Sequence, residues 1–305
     1  MSKIFTKKKL QRSHKHYNLN GPSYLPWLFM LPAILLLVFV VAAPTLGTIG
    51  LAFFKWDGLG KPKFVGIVNF INLFKDPVFY KALANNFKWL IYFCTIPVIF
   101  GLVNALLITK TKKLQRVYRT LLFLPYVCST IVTAMIWKWI YDPYFGLNPT
   151  LLNYGIMGLP NWLSDTKIAL FSVALTDSWR YVGFLMVLFL TGLSQADKQL
   201  EEAAKIDGAN GIQIFRYVIV PQLRPTLVLI IMLTMIWSFA AFDYVYVMTG
   251  GGPGRATELL ATYMYSTTIQ GQSAGYGSAI SCTMLFFSII IIAVFGLLKK
   301  KGWDV

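Results

Sequence analysis

Between His16 and Lys55 the chain contains no ionisable side chain except two tyrosines. A run of that length and character does not suit a water-soluble surface, because about 20 consecutive apolar residues suffice to cross the hydrocarbon of a bilayer. Comparable apolar stretches recur along the 305 residues, and only 13% of the chain is charged. Soluble proteins carry about a quarter. These features exclude a disordered chain, a disulfide-stapled secreted module and an ordinary cytosolic enzyme. The chain is expected to use lipid as part of its solvent.

Six helical spans are expected, at Leu28–Phe54, Trp89–Ile108, Thr120–Ile140, Ile168–Leu193, Thr226–Met248 and Gly277–Leu298. The fold class is therefore an all-α, polytopic membrane protein. Pro32, Pro44, Gly47 and Gly50 fall inside the first span, where neighbouring groups can re-satisfy a broken backbone. Its apolar run is too long for a cleavable leader, and no small-residue cleavage site follows.

The net charge is +16, and its distribution orients the spans. Residues 1–27, 109–119, 194–225 and 299–305 hold eighteen of the 28 Lys and Arg, whereas 55–85, 141–167 and 249–277 hold seven. Both termini are thus expected in the cytoplasm. The expected parts are a basic tail (1–27), a transmembrane body (28–298) containing a cytoplasmic loop (194–225), and a short C-terminus (299–305). The basic residues are split by spans and accompany no groove-reading motif, which argues against nucleic acid. Cys94, Cys128 and Cys282 lie in apolar stretches, and His14 and His16 sit in the tail. No metal site is expected, nor a catalytic one.

The loop Ser194–Pro225 differs from every other. Ser194 with Asp197 reads as a helix start. Leu200, Ala203 and Ala204 make an apolar stripe, and Glu201 and Lys205 an i, i+4 pair. Gly208 is a natural stop, because glycine adopts the left-handed conformation that ends a helix. A second helix fits Ile212–Val220, with Pro221 and Pro225 closing the segment. A helix–turn–helix hairpin with small residues on one face follows.

Glu202-Ala203-Ala204, Gly208 four residues after Ala204, and Val218-Ile219-Val220-Pro221 resemble the EAA loop of permease subunits of ATP-binding-cassette importers. Valine replaces the usual isoleucine and leucine before Pro221. The string EEAAKIDGA, the run Met248-Thr249-Gly250-Gly251-Gly252-Pro253 and Gly275-Tyr276-Gly277-Ser278-Ala279 resemble the sugar-importing, maltose-permease-like group. The resemblance covers most of residues 28–300. It implies that the hairpin docks on a cytoplasmic ATPase subunit, with Glu202, Ala203, Ala204, Asp207, Gly208 and Pro221 as the coupling residues. It further implies a second homologous permease subunit, two ATPase subunits that use ATP and Mg, an extracellular sugar-binding protein, and a multi-pass position in the bacterial cytoplasmic membrane. The chain itself has no phosphate-binding loop: Gly60-Lys61 is followed by Pro62. It is thus expected to bind no cofactor and not to be an enzyme.

Charges at membrane depth normally face a cavity or a partner. Asp177 and Arg180 share a helix face. They are either a structural ion pair or part of a transport path. Sugars present hydroxyls and flat apolar faces, which suit carboxylates and aromatic rings, and Asp177, Trp179, Arg180, Tyr181 and Phe184 offer both. By the resemblance, the path is assigned to Asp177, Arg180, Tyr181, Phe184, Trp237, Ser238 and Ala241, with Asp243 one residue off this set. A secondary transporter predicts inverted repeats, which are not seen. An intramembrane enzyme needs a base beside a nucleophile, and neither histidine lies in a span.

Overall fold

The structure is a computed structural model that describes residues 24–111 and 114–300. Most of the basic tail 1–27, and residues 301–305 of the C-terminal segment, lie outside the described residues. The chain divides at Gly47 into two compact units. The first carries α1 (Leu25–Leu36) and a widened turn at Leu37–Ala42, followed by the start of α2 (Ala43–Leu51). Pro44 lacks the N–H that the carbonyl four residues back would use, and the widening to i+5 spacing directly precedes it. None of the apolar window of this segment is buried, as expected for a helix that faces lipid.

In the second unit a two-residue antiparallel ladder joins β1 (Phe54–Lys55) and β2 (Lys63–Phe64). This short ladder is a local addition to an otherwise mostly helical fold. The ladder is closed by a tight turn in which Asp57 Oδ1 accepts the N–H groups of Leu59 and Gly60 at 2.9 and 2.8 Å. A short helix α3 (Val68–Leu73) leads to α4 (Pro77–Lys110), which starts twelve residues before the expected span. Asp76 caps it by accepting from Val78 N–H at 2.8 Å, and Pro77 occupies the first turn, where a missing N–H costs nothing.

The third span is not one helix. α5 (Gln115–Val127) and α6 (Thr130–Ile140) meet at 95°. Pro125 weakens the end of α5, and Cys128 and Ser129 are extended, with ψ 147° and 136°. After a short α7 (Leu147–Leu152), α8 (Ala169–Gln195) forms a continuous fourth span. The fifth is interrupted as well: α12 (Arg224–Ala240) ends at Ala241, which has ψ 121°, and α13 (Asp243–Met248) follows. Neither glycine nor proline marks this second break. α14 (Leu260–Tyr265) precedes α15 (Ala274–Lys300). Among the described residues four helices are long and apolar enough to cross a membrane, and up to six spans result if the bent pairs α5–α6 and Gly211–Gln222 with α12 each count as one.

Two apolar clusters hold the second unit together. One centres on Trp89, Phe93, Tyr181, Leu185 and Phe189, where α4 packs on α8. The other joins Leu73, Phe79, Phe239, Leu260 and Ile280. Small residues allow the close approach that lipid-embedded helices need. At Gly183 of α8 a Cβ would collide with the Leu122 carbonyl oxygen of α5.

The loop 194–225 is the expected hairpin, with two local differences. Ser194 belongs to α8, and its hydroxyl donates back to Thr191 O at 2.7 Å. Asp197 is the residue that caps α9 (Lys198–Ile206), accepting from Gln199 N–H at 2.8 Å. α10 (Gly211–Ile214) begins with a reciprocal Asn210–Gln213 cap. It passes through a widened turn (Phe215–Ile219) into α11 (Val220–Gln222). Pro221 therefore lies within the helical run and does not close it. The widened turn just before it accommodates the N–H that proline lacks. The segment Gly211–Gln222 meets α12 at 69°.

Candidate functional site: a cavity at two helix breaks and an exposed hairpin

A cavity of about 200 Å³ lies where the breaks at Ser129 and Ala241 converge. Its wall combines Trp89 and Phe93 from α4, Thr130 from α6, Asp177 and Arg180 from α8, and Trp237 with residues 240–245 around the α12–α13 break. A helix break frees backbone groups that a continuous helix would satisfy internally. Here two of them are satisfied by side chains. Arg180 Nε donates to Cys128 O at 3.4 Å. Asn86 Nδ2 donates to Ser238 O at 3.0 Å, and Asn86 Oδ1 accepts from Leu260 N–H at 2.7 Å.

Asp177 and Arg180 do not form an ion pair. Among the described residues the ion pairs are Lys205–Glu201 and Arg255–Glu258. The Arg180 guanidinium lies over the Tyr126 ring, 4.9 Å from its centre. Both Asp177 and Arg180 line the cavity. The half-buried Asp177 and the exposed Asp243 bring two carboxylates to one small space. Trp237 is 44% exposed and presents a ring there, and the indole N–H of fully buried Trp89 has no hydrogen-bond partner. The cavity thus offers carboxylates, a cation, an unsatisfied donor and aromatic faces together.

Of the residues assigned to the path, Asp177, Arg180, Trp237 and Ala241 line the cavity. Tyr181 is buried behind it, with its ring 5.2 Å from that of Trp237 and 4.9 Å from that of Phe93. Phe184 stacks on Tyr126 at 4.8 Å. Ser238 is fully buried, and its hydroxyl donates to Thr234 O at 2.7 Å. Trp89, Phe93, Thr130 and Tyr244 were not foreseen. Each sits in an apolar run whose facing can be read only once the breaks are known. Lys138 donates to Val247 O at 3.2 Å and ties α6 to α13.

At the hairpin, Glu202, Ala203, Asp207, Gly208 and Pro221 are exposed and Ala204 is half-buried. Gly208 has φ +80°, which a residue with a Cβ rarely adopts. Leu200, Ile206, Ile212 and Tyr217 are exposed too, with Ile206 86% accessible. The hairpin is internally braced. Lys205 and Glu201 pair at 2.7 Å, and Asp197 N–H donates to Gln222 Oε1 at 2.6 Å.

A family model for the inner membrane component of binding-protein-dependent transport systems matches residues 97–301. The probable ABC transporter permease protein YurN of Bacillus subtilis is 34% identical over 277 residues, covering 89% of this chain and 94% of that protein. The lactose transport system permease protein LacF of Rhizobium radiobacter is 30% identical over 290 residues, covering 93% and 94%. A crystal structure of a bacterial alginate ABC transporter, in complex with an alginate pentasaccharide-bound periplasmic protein, contains a chain with the same fold. Its TM-score is 0.79 at 18% identity, with 92% of this chain and 96% of that one covered.

Proposed function

Because the chain belongs to the family of binding-protein-dependent inner membrane transport components, we propose that it is one of two permease subunits of an ABC importer for a mono- or oligosaccharide. Both termini and the hairpin face the cytoplasm, in keeping with the asymmetry of Lys and Arg. An extracellular binding protein delivers the sugar, and two separate ATPase subunits hydrolyse ATP with Mg. The cavity-lining residues Asp177, Arg180, Trp237 and Ala241 form this chain's share of the path, with Tyr181, Phe184 and Ser238 supporting them from behind. The relatives' substrates, lactose and alginate among them, support a carbohydrate. The mixed lining supports it chemically, since carboxylates and amides bind hydroxyls and aromatic rings stack on sugar faces.

One observation carries the mechanism. The hairpin runs directly into α12, and the far end of α12 carries Trp237 and the break that opens the cavity. Seventeen residues of helix span about 25 Å at 1.5 Å per residue. A rigid rod of that length converts a movement of the hairpin into a movement of the cavity wall. ATPase closure around Glu202–Gly208 therefore reaches the sugar site through one covalent element. Shifts of this kind between packed helices are how small displacements at one site become discrete states at another.

The test is uptake by the complete assembly with its binding protein, across mono- and oligosaccharides. Sugar-stimulated ATP hydrolysis with uptake of at least one sugar is expected. Glu202→Lys is expected to abolish both by weakening ATPase docking. A transporter that moves no sugar but takes up an amino acid would sink the substrate class. Unchanged docking and uptake in Glu202→Lys would sink the coupling role.

A further inference from the structure

A second, larger cleft of about 710 Å³ opens between the hairpin and the ends of the spans that bear it. The C-terminal ends of α4 and α8, the start of α5 and both arms of the hairpin meet there. Its volume lies in the range of small-molecule sites, about 300–1,000 Å³. Three cations line it, Lys110, Arg119 and Lys198, beside two carboxylates, Asp197 and Glu201. Both carboxylates are already engaged. Asp197 caps α9 at 2.8 Å, and Glu201 is paired with Lys205 at 2.7 Å. Among the described residues none of the three cations has an ion-pair partner. With Glu201 paired to Lys205 and Asp197 offsetting one cation, the cleft still holds net positive charge in a concave space.

Its position supplies the second observation. Lys110 is the last residue of α4, and Arg119 lies in the first turns of α5. Farther along the same helices, Val103, Leu107, Leu121 and Leu124 are all exposed. Charge at the span ends with a lipid-facing apolar surface beside it is the pattern that suits an anionic lipid, headgroup in the cleft and chains along the helices. A free phosphate matches the charge but not the apolar flank. The first 27 residues carry Lys and Arg but no carboxylate, so charge gives the tail no reason to occupy the cleft.

We propose that this cleft binds the phosphate-bearing headgroup of an anionic membrane phospholipid, held by Lys110, Arg119 and Lys198. Asp197 and Gln222 line the same cleft and are the two residues whose hydrogen bond closes the hairpin. The bound headgroup thus packs against the hairpin's brace, and lipid composition sets how firmly the hairpin is held to the membrane body.

The complete transporter, reconstituted in nanodiscs of phosphatidylcholine with added phosphatidylglycerol, tests this by native mass spectrometry of retained lipid. Selective retention of phosphatidylglycerol is expected, with a loss of about five-fold for each of Lys110→Gln and Arg119→Gln. Lys110→Arg and Arg119→Lys are expected to keep it, which separates charge from folding. Lys61→Gln, in a loop away from the cleft, is expected to change nothing. Retention unchanged in the Lys110→Gln/Arg119→Gln double variant would overturn the proposal. So would displacement of phosphatidylglycerol by inorganic phosphate alone. Loss of ATPase co-purification with lipid retention intact would assign the cations to that subunit and overturn it equally.

Discussion

The side-chain amide of Asn86 on α4 donates to the backbone carbonyl of Ser238 on α12 at 3.0 Å. That carbonyl lies in the last turn of α12, beside the break at Ala241, so a helical partner for it is missing. The same side chain accepts from the backbone of Leu260 at 2.7 Å. Asn86 is fully buried and satisfies two backbone groups that would otherwise be dry, one at the end of α12 and one at the start of α14.

Asn86→Leu leaves both backbone groups unsatisfied, each costing about 1–3 kcal/mol. A stability loss of about 2–6 kcal/mol is expected, read from denaturation of the purified protein. The alternative is that α12 runs on through Ala241 and closes the cavity. In that case stability holds and uptake is lost. A variant unchanged in both respects would show that the bond does not maintain the break.

The hairpin was legible in the sequence because everything that shapes it is local: a cap, an i, i+4 pair and a glycine with φ +80° lie within fifteen residues. The cap was misplaced by three residues because Ser194 had a competing acceptor, Thr191 O, inside α8. The long apolar runs revealed the membrane helices, yet hydropathy carries no information about where such a helix bends. Pro125 was a visible cause for the break after α5. The break at Ala241 has no breaker residue, and its support comes from Asn86, far away in the chain. The cavity wall followed from that break, so Trp89, Phe93 and Thr130 could not be assigned from spacing. Asp177 and Arg180 were conspicuous simply as charges in an apolar helix.

Trp237 presents a half-exposed ring to the cavity, whereas Tyr181 is 1% exposed and its hydroxyl has no partner. Trp237→Ala removes a stacking surface of about 0.5–1.5 kcal/mol, and the sugar concentration for half-maximal uptake is expected to rise up to about ten-fold. Tyr181→Phe keeps the core ring and removes an unsatisfied polar atom, so stability and uptake are expected to hold or improve. A large uptake defect in Tyr181→Phe would place its hydroxyl on the sugar.

Arg180 uses its planar head twice, on the Cys128 carbonyl and over the Tyr126 ring. Lysine keeps the charge but not the flat, forked geometry. Arg180→Lys is therefore expected to impair uptake nearly as much as Arg180→Ala. Uptake close to wild type in Arg180→Lys would show that charge alone is needed.

Asp76 caps α4 and also accepts hydrogen bonds from the hydroxyls of Tyr263 and Tyr276, the latter at 2.8 Å. Burial pushes its carboxyl up, but these hydroxyls and the N–H groups of Val78 and Phe79 outweigh burial and hold it below the usual range. The folded protein thus binds this proton less tightly than the unfolded chain. The stabilisation is present above the unfolded value near about pH 4 and is lost as pH falls through the lower folded value. Melting temperature against pH is expected to show a shallower acid decline in Asp76→Asn, from a lower neutral plateau. An identical acid limb in both proteins would exclude Asp76 as its source.

The hydrogen bond from Asp197 N–H to Gln222 Oε1 closes the hairpin at its base, where α9 begins and α12 is about to start. It is solvent-exposed, so its net contribution to stability is small, about 0.5–1.5 kcal/mol. Under the proposed coupling its mechanical role would be larger, because it would make the two arms move as one body and pass that movement into α12. Gln222→Leu removes the acceptor with little change in bulk, while Gln222→Glu keeps one. The leucine variant is expected to assemble with its ATPase subunits, to melt within a few degrees of wild type, and to hydrolyse ATP with weakened response to sugar, so that uptake per ATP falls. The glutamate variant is expected to retain coupling. Equal uptake per ATP in all three proteins would show that the two arms need no brace at this point, and that α12 receives its movement through the widened turn at Phe215–Ile219 alone.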